Sequence, residues 1–161
     1  MRAVLNVLPM LLIAACTSTS SVVDAKLLAI RGVTIGSPRS AVIAALGTPV
    51  QVETGQDDIM GMGAWERLLY DGLMVEVIRP DSDVARREPY VAIMEISGAG
   101  WVTASGLRVG SPRADVIRVL GQPDRTENEV FFYYTKSFEG HVRVDIRDGV
   151  GWRLEVDEDW T

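Results

Sequence analysis

Cysteine and histidine are nearly absent from this 161-residue sequence, which holds one of each, Cys16 and His141. A single cysteine excludes an internal disulfide, and so few Cys and His side chains exclude the multi-ligand sites that hold structural zinc. Positive charge is also scarce, because 16 Lys and Arg against 22 Asp and Glu give a net charge of −6 at pH 7. We therefore expect no nucleic-acid partner and no electrostatic attraction to anionic lipid.

Patterns for catalysis or metal binding are also missing from the sequence. His141 has no candidate nucleophile or second metal ligand at a recognisable spacing. Asp57 and Asp58 lack the regularly spaced oxygen ligands of a calcium loop, and we interpret 55–63 as a solvated loop. The glycines of 106–111 are followed by no lysine of a phosphate-binding loop. The sequence thus predicts no enzyme, no catalytic residues, no metal, no cofactor and no small-molecule substrate.

A short apolar run near the N-terminus follows Arg2. It extends over residues 3–15, interrupted by Asn6 and Pro9, and has the length of a signal-peptide core rather than of a membrane-spanning helix. The run ends in Ile13-Ala14-Ala15-Cys16, which resembles the lipobox of bacterial lipoproteins. In that motif the cysteine receives a diacylglyceryl group before the signal peptide is cleaved.

The lipobox resemblance predicts a signal peptide over 1–15, lipidation of Cys16 and a polar tether over 16–27. An ordinary secretory signal with cleavage elsewhere is the alternative. Thr17 rather than aspartate follows the cysteine, and by the sorting rule of some bacteria this implies the outer membrane. We expect a location in the bacterial cell envelope, lipid-anchored and facing the periplasm.

One block of the sequence occurs twice. Residues 32–49 and 106–123 are identical at ten of eighteen positions. Each block predicts a short helix with both ends marked by their ordinary residue types. The expected N-caps, first helical residues and C-terminal caps are Ser37 and Ser111, Pro38 and Pro112, and Gly47 and Gly121.

Alternating hydrophobic residues and Asp-Gly turns predict strands after each block. The predicted strands are 65–70, 73–78 and 91–96 in the first copy, and 130–135, 141–147 and 152–156 in the second. We therefore predict an α+β fold made by tandem duplication. Each unit would hold one or two short helices and a three- to four-stranded antiparallel sheet, repeat 1 over 28–98 and repeat 2 over 99–161. The units would pack side by side or share a sheet, joined by a linker at 97–100.

The repeated helix block, the L-G-x-P that ends it and the following aromatic strand and D-G hairpin resemble the SmpA/OmlA (BamE-like) outer-membrane lipoproteins. They are also similar to the tandem α+β repeats of β-lactamase inhibitory protein. The resemblance covers residues 28–158, and it implies a binding protein without catalysis that uses sheet and loop surfaces. The chain departs from the first family by its duplication, and from the second by its lone cysteine and its lipobox.

Aromatic residues are concentrated in the second repeat. In a strand, Phe131 and Tyr133 face one way and Phe132 and Tyr134 the other, so one pair is expected in the core and the other at the surface. Exposed aromatics beside mixed charges are typical of protein-binding surfaces.

Polar residues on two predicted strands mark the expected interaction surface. They alternate with apolar residues such as Val142 and Val144, and they would form one patch beside Tyr133 or Trp152. The candidate protein-binding residues are Tyr133, His141, Arg143, Asp145, Trp152, Arg153 and Glu155. A merely solvated sheet face explains the same alternation, and 55–63 is the alternative site. Changing Arg143 and Arg153 together to glutamate is expected to leave folding intact.

These observations favour a non-enzymatic envelope lipoprotein that binds or helps assemble other envelope proteins, in outer-membrane protein assembly or envelope integrity. The alternative is a periplasmic inhibitor or modulator of an envelope hydrolase. The expected partner is an unidentified envelope protein, with the membrane reached through the lipid anchor.

Overall fold

The computed structural model describes residues 22–57, 63–79, 88–135 and 140–157, and within these residues the chain forms two short α-helices and eight strands. The predicted signal peptide and Cys16 lie outside these residues. In chain order the elements are a 3₁₀ helix (Ala25–Leu28), α1 (Arg39–Leu46), β1 (Gln51–Asp57), β2 (Gly63–Tyr70), β3 (Leu73–Arg79), β4 (Tyr90–Ile96), α2 (Arg113–Leu120), β5 (Arg125–Glu127), β6 (Val130–Tyr134), β7 (His141–Arg147) and β8 (Val150–Asp157).

All eight strands belong to one antiparallel sheet with the order β1-β2-β3-β4-β8-β7-β6-β5. The predicted fold class, an α+β tandem of units that each hold a three- to four-stranded sheet, is therefore wrong, and of the two predicted arrangements the strands form the shared sheet. The reason is a seam between β4 and β8, where four residue pairs from Ile93–Asp157 to Ile96–Leu154 join the strands that follow α1 to those that follow α2. The described chain is dominated by this sheet, and its two α-helices have eight residues each.

Sequence alternation located six of the eight strands but missed β1 and β5. These are the two edges of the sheet, and exposed polar residues dominate both of them. The predicted loop at 55–63 is wrong where it overlaps β1 and β2, and 58–62 lie outside the described residues. Gly55 lies directly opposite Trp65, and a Cβ at position 55 would overlap the Trp65 indole. The glycine that suggested a loop instead makes room for an aromatic ring on the neighbouring strand.

The repeated sequence block forms α1 and α2, which end as predicted at glycines with positive φ, Gly47 and Gly121. Their starts differ from the prediction, because the N-caps are Pro38 and Pro112 and no side chain caps either helix. The first helical N–H, of Arg113 in α2, donates instead to the Gly149 carbonyl at 2.9 Å.

Each repeated serine closes the turn that precedes its helix. The Ser111 hydroxyl accepts the Arg108 N–H at 3.0 Å, and the Ser111 N–H donates to the Arg108 carbonyl at 3.0 Å. Ser37 makes the same pair of hydrogen bonds with Thr34. The repeated serine is therefore structural in both places, through a turn rather than through a helix cap.

Replacing Ser111 with alanine is expected to lower the free energy of unfolding by about 1 kcal/mol, because the Arg108 N–H loses its acceptor in a buried turn. Chemical denaturation measures the loss. Ser97→Ala, at an exposed position, is the control and should change stability by less than about 0.5 kcal/mol. Equal stability of the Ser111 variant and the wild type would contradict this role.

The main hydrophobic core lies between the helices and one face of the sheet. Helix residues such as Val42 and Val116 meet strand residues such as Leu68, Val144 and Leu154, all of them 0–1% exposed. A smaller cluster of Ile78, Tyr90 and Ala92 lies apart from this core. We call the sheet face turned away from the core the polar face.

The predicted linker at 97–100 is fixed to the β2–β3 turn. The N–H groups of Ser97 and Gly98 both donate to the Gly72 carbonyl, at 3.0 and 2.9 Å. Trp101 follows and donates its indole N–H to the Asp71 carbonyl at 2.7 Å. Its ring meets the ring of Tyr70 edge-on, with centroids 6.1 Å apart. The connection between the two halves is thus part of the packed structure.

Two tyrosines near the ends of β2 and β6 differ in how their hydroxyls are satisfied. The Tyr70 hydroxyl donates to the carbonyl of Gly47 at 3.2 Å. The Tyr133 side chain is fully buried, and its hydroxyl has no hydrogen-bond partner among the described residues. Burial raises the pKa of the Tyr133 phenol, with Asp124 adding to the effect and Arg113 opposing it, so the phenol stays neutral.

Replacing Tyr133 with phenylalanine is expected to leave stability unchanged or to raise it by about 1 kcal/mol, because a buried hydroxyl without a partner is costly. Tyr70→Phe is the matched control and should lose about 1 kcal/mol with its hydrogen bond. Thermal unfolding of both variants measures the difference. A Tyr133 variant that loses as much as the Tyr70 variant would show that the Tyr133 hydroxyl is satisfied in solution.

Candidate functional site

Charged side chains of three neighbouring strands meet at the centre of the polar face. Val142 and Val144 of β7 and Leu154 and Val156 of β8 are buried in the core. Alternation places the residues between them on the opposite face. Across the seam, Glu95 of β4 lies directly opposite Glu155. We call the five charged residues that meet here the ion-pair patch: Glu95, Arg143, Asp145, Arg153 and Glu155.

Short contacts connect the members of the ion-pair patch. Arg143 donates to both carboxylate oxygens of Asp145, at 2.8 and 3.3 Å. Arg153 donates from Nη2 to Glu155 at 2.7 Å, and its Nε lies 3.7 Å from both Glu95 and Asp145. The strand register also sets Arg143 opposite Glu155 and Arg153 opposite Asp145. Opposite charges therefore face each other across β7 and β8.

Arg153 has more acidic neighbours than the other arginine of the patch. It faces three carboxylates, and two of them, Glu95 and Glu155, are a like-charged pair directly opposite each other across the seam. Burial lowers the pKa of the Arg153 guanidinium, but attraction to Glu95, Glu155 and Asp145 outweighs it, so the pKa is raised. The arginine side chain is 25% exposed, and its Nε makes no hydrogen bond among the described residues. The positive charge of Arg153 thus offsets the repulsion between the carboxylates around it.

Bulges place a buried acid at corresponding points of the two halves. The β3–β4 register shifts after Glu76, and the β7–β8 register shifts after Asp145. Both residues are charged types buried to about 95%, since Glu76 is 4% and Asp145 5% exposed. Glu76 accepts the Nε–H of Arg67 at 2.6 Å. A buried acid that is ion-paired with an arginine therefore lies beside the bulge of β3 and again beside the bulge of β7.

The other predicted site residues are placed differently. Tyr133 is fully buried in the core, so its expected place at the surface is wrong; Phe131 and Tyr133 are the core pair. Trp152 is half-buried, lies at the bulge of β8, and is covered by the Arg147 guanidinium 4.6 Å from its ring centroid. His141 lies at the start of β7, with Nδ1 3.1 Å from an Asp157 carboxylate oxygen.

A small aromatic pocket adjoins the ion-pair patch at the β5–β6–β7 end of the sheet. Its volume is about 210 Å³, and it is lined by Arg125, Phe132, Tyr133, Tyr134 and His141. Phe132 lies opposite Arg143 in the strand register, which joins the pocket to the patch. The Arg125 guanidinium lies 4.3 Å from the centroid of the Phe132 ring. Such a pocket suits one side chain or one small polar group rather than a large ligand.

Sequence reasoning missed Glu95 and Arg125 as neighbours of the predicted residues. Glu95 lies on a predicted strand, but its place in the patch depends on the β4–β8 seam, which joins distant parts of the sequence. Arg125 belongs to the missed strand β5. The only sequence signal for Glu95 was that it is the single charged residue in the otherwise apolar segment 91–96. None marked Arg125.

Within the described residues, no group of three or more His, Cys, Asp or Glu side chains is placed to hold a metal ion. Likewise, no helix in that part of the chain is long and apolar enough to cross a membrane. The chemistry that the patch offers is recognition by charge and shape, since paired arginines and carboxylates donate and accept hydrogen bonds in fixed directions.

Comparison with known proteins gives one distant structural neighbour. No family model and no curated protein matches the chain. An extracellular protein containing an SCP domain from Bacillus anthracis str. Ames has 13% sequence identity and a TM-score of 0.48. The match covers 78% of the present chain but only 44% of that protein.

Proposed function

We propose that this chain is a lipid-anchored protein of the bacterial envelope, facing the periplasm from the outer membrane, that binds a protein partner through the ion-pair patch and has no catalytic role. The lipobox-like residues ending in Cys16 support the anchor and the location. The convergence of Arg143, Asp145, Arg153 and Glu155 on one sheet face is the observation that carries the binding function. The resemblance to the SmpA/OmlA lipoproteins is consistent with this proposal.

Mixed charge suits the patch to a specific protein contact. Its two arginines and three carboxylates carry both signs within one small area, which favours a complementary polar surface over a lipid or a nucleic acid. The side chains are also held by one another, because Arg143 and Arg153 each donate to an acid on the same face. A partner therefore meets charges in fixed positions and loses little side-chain entropy on binding.

Site-specific photocrosslinking in intact cells tests this proposal. A photoreactive residue at Arg143, which is 34% exposed, should give a distinct adduct with a single envelope protein. The same residue at Arg118 of α2, which is 71% exposed, is the control on the helical side and should not give that adduct. Identical adducts from both positions, or none, would argue against the patch. An adduct with a soluble hydrolase would favour the alternative, an inhibitor or modulator of that enzyme.

A charge change that spares the fold gives a second test. Glu95→Gln removes the repulsion between Glu95 and Glu155 but also the ion pair of Glu95 with Arg153, so the two effects oppose each other and stability should change by less than about 0.5 kcal/mol. Capture of the crosslinked partner should nevertheless weaken about five- to tenfold, since the lost charge alters the complementarity of the patch. Capture equal to that of the wild type would place the contact elsewhere.

A further inference from the structure

The first described residues of the chain contact the second half of the sheet, although the next elements in sequence, α1 and β1, belong to the first half. The N–H of Val23 donates to the Tyr134 carbonyl at 2.8 Å, and Val23 forms a parallel bridge with Thr135. The carbonyls of Leu27 and Ala29 then accept N–H groups of Ser105 and Ala104. Val23 itself is 3% exposed. The first described residues are thus fixed to the end of β6.

A lipid on Cys16 would lie close to this point. Six residue steps separate Cys16 from Val22, and a fully extended chain covers about 3.3–3.6 Å per step, so the separation is at most about 22 Å. A longer flexible tether would leave the orientation of the folded part open. A tether this short keeps the end of β6 near the bilayer surface.

The residues at the end of β6 have the chemistry of a membrane interface. Tyr134 is 63% exposed and Val22 is 39% exposed, and the backbone contact of Val23 with Tyr134 brings them together. The aromatic pocket beside Tyr134 adds Phe132 and the cation of Arg125. Aromatic side chains with a polar tip and arginines with an apolar stem are favoured at the headgroup level of bilayers.

We infer that the β5–β6 end of the sheet, with Val22, Tyr134 and the aromatic pocket, docks on the surface of the phospholipid bilayer. This inference rests on the proposed lipidation of Cys16. Strand β1 lies at the other edge of the sheet, seven strand spacings from β5, or up to about 34 Å away. The strands that follow α1 therefore extend away from the membrane, and the ion-pair patch lies between the two edges.

Fluorescence quenching in vesicles tests this orientation. The acylated full-length protein, with Tyr134→Cys or Val52→Cys carrying the fluorophore, is reconstituted into phosphatidylcholine vesicles whose headgroups bear a nitroxide. Cys16 is the only native cysteine, and acylation blocks its thiol, so each introduced cysteine is labelled alone. Both replaced residues are exposed, at 63% and 44%, and the fold should tolerate the changes.

The label at position 134 should lose more than about half of its fluorescence and the label at 52 little, since six strand spacings, up to about 29 Å, separate β6 from β1. Mass spectrometry of the same sample reports the acyl chains. A chain without acyl mass would overturn both the anchor and the orientation. An acylated chain with equal quenching at both positions would overturn the orientation alone and leave the lipoprotein proposal intact.

Discussion

Replacing Arg153 with glutamate is expected to lower the free energy of unfolding by about 2–4 kcal/mol, somewhat less than for a fully buried pair because the side chain is 25% exposed. The change would place a fourth carboxylate among Glu95, Asp145 and Glu155. Urea denaturation at neutral pH measures the loss.

Arg118→Glu is the control for charge reversal itself. Arg118 is 71% exposed on α2, so its reversal should change stability by less than about 0.5 kcal/mol. A loss below about 0.5 kcal/mol for Arg153→Glu as well would show that the patch is solvated and that its ion pairs contribute little. The sequence-based expectation that Arg143 and Arg153 can both become glutamate without harm to folding conflicts with this geometry, since both arginines pair with the buried Asp145.

Replacing Gly98 with alanine is expected to cost about 2–3 kcal/mol, because the added methyl group meets backbone rather than a side chain that can move. A Cβ on Gly98 would lie 2.7 Å from the Cα of Gly72. The contact is between the linker and the β2–β3 turn, where the Gly72 carbonyl already accepts two N–H groups. Relief of the overlap would break one or both of those hydrogen bonds. Thermal or urea unfolding measures the loss.

Gly100→Ala is the matched control, two residues along the same linker. A Cβ on Gly100 meets no atom within 4 Å, so this change should be neutral or slightly stabilising through the unfolded state. If the Gly98 and Gly100 variants were equally stable, the linker would have to be free of the β2–β3 turn in solution.

Local sequence patterns predicted the individual elements well. The predicted strand over 141–147 has the same bounds as β7, and the Asp71-Gly72 turn lies between β2 and β3 as expected. These features depend on residues close together in sequence: alternation sets the buried face, and Asp-Gly supplies the turn. The edge strands β1 and β5 were not predicted, because a strand with only one neighbour needs few apolar residues and both strands are largely polar.

Long-range pairing accounts for the larger errors. No local pattern in β4 or β8 indicates that Met94 lies opposite Val156, yet this pairing decides between the two predicted arrangements, units side by side or units in one shared sheet. The patch was predicted in part for the same reason: alternation put Arg143 and Asp145 on one face, but the position of Arg153 among three acids follows from the seam. The predicted surface position of Tyr133 was wrong because alternation defines two faces of a strand but does not indicate which of them the helices cover.

The contact between Val23 and the end of β6 also constrains the order in which the molecule folds. These partners are roughly 110 residues apart, so the segment nearest the proposed anchor has to wait for β6 before it can dock. Synthesis of the chain begins at the N-terminus. The membrane-proximal contact would therefore form late, after the strands that follow α1 have had time to pair. Refolding should show protection of the Val23 amide from hydrogen exchange later than protection of the β2–β3 hairpin.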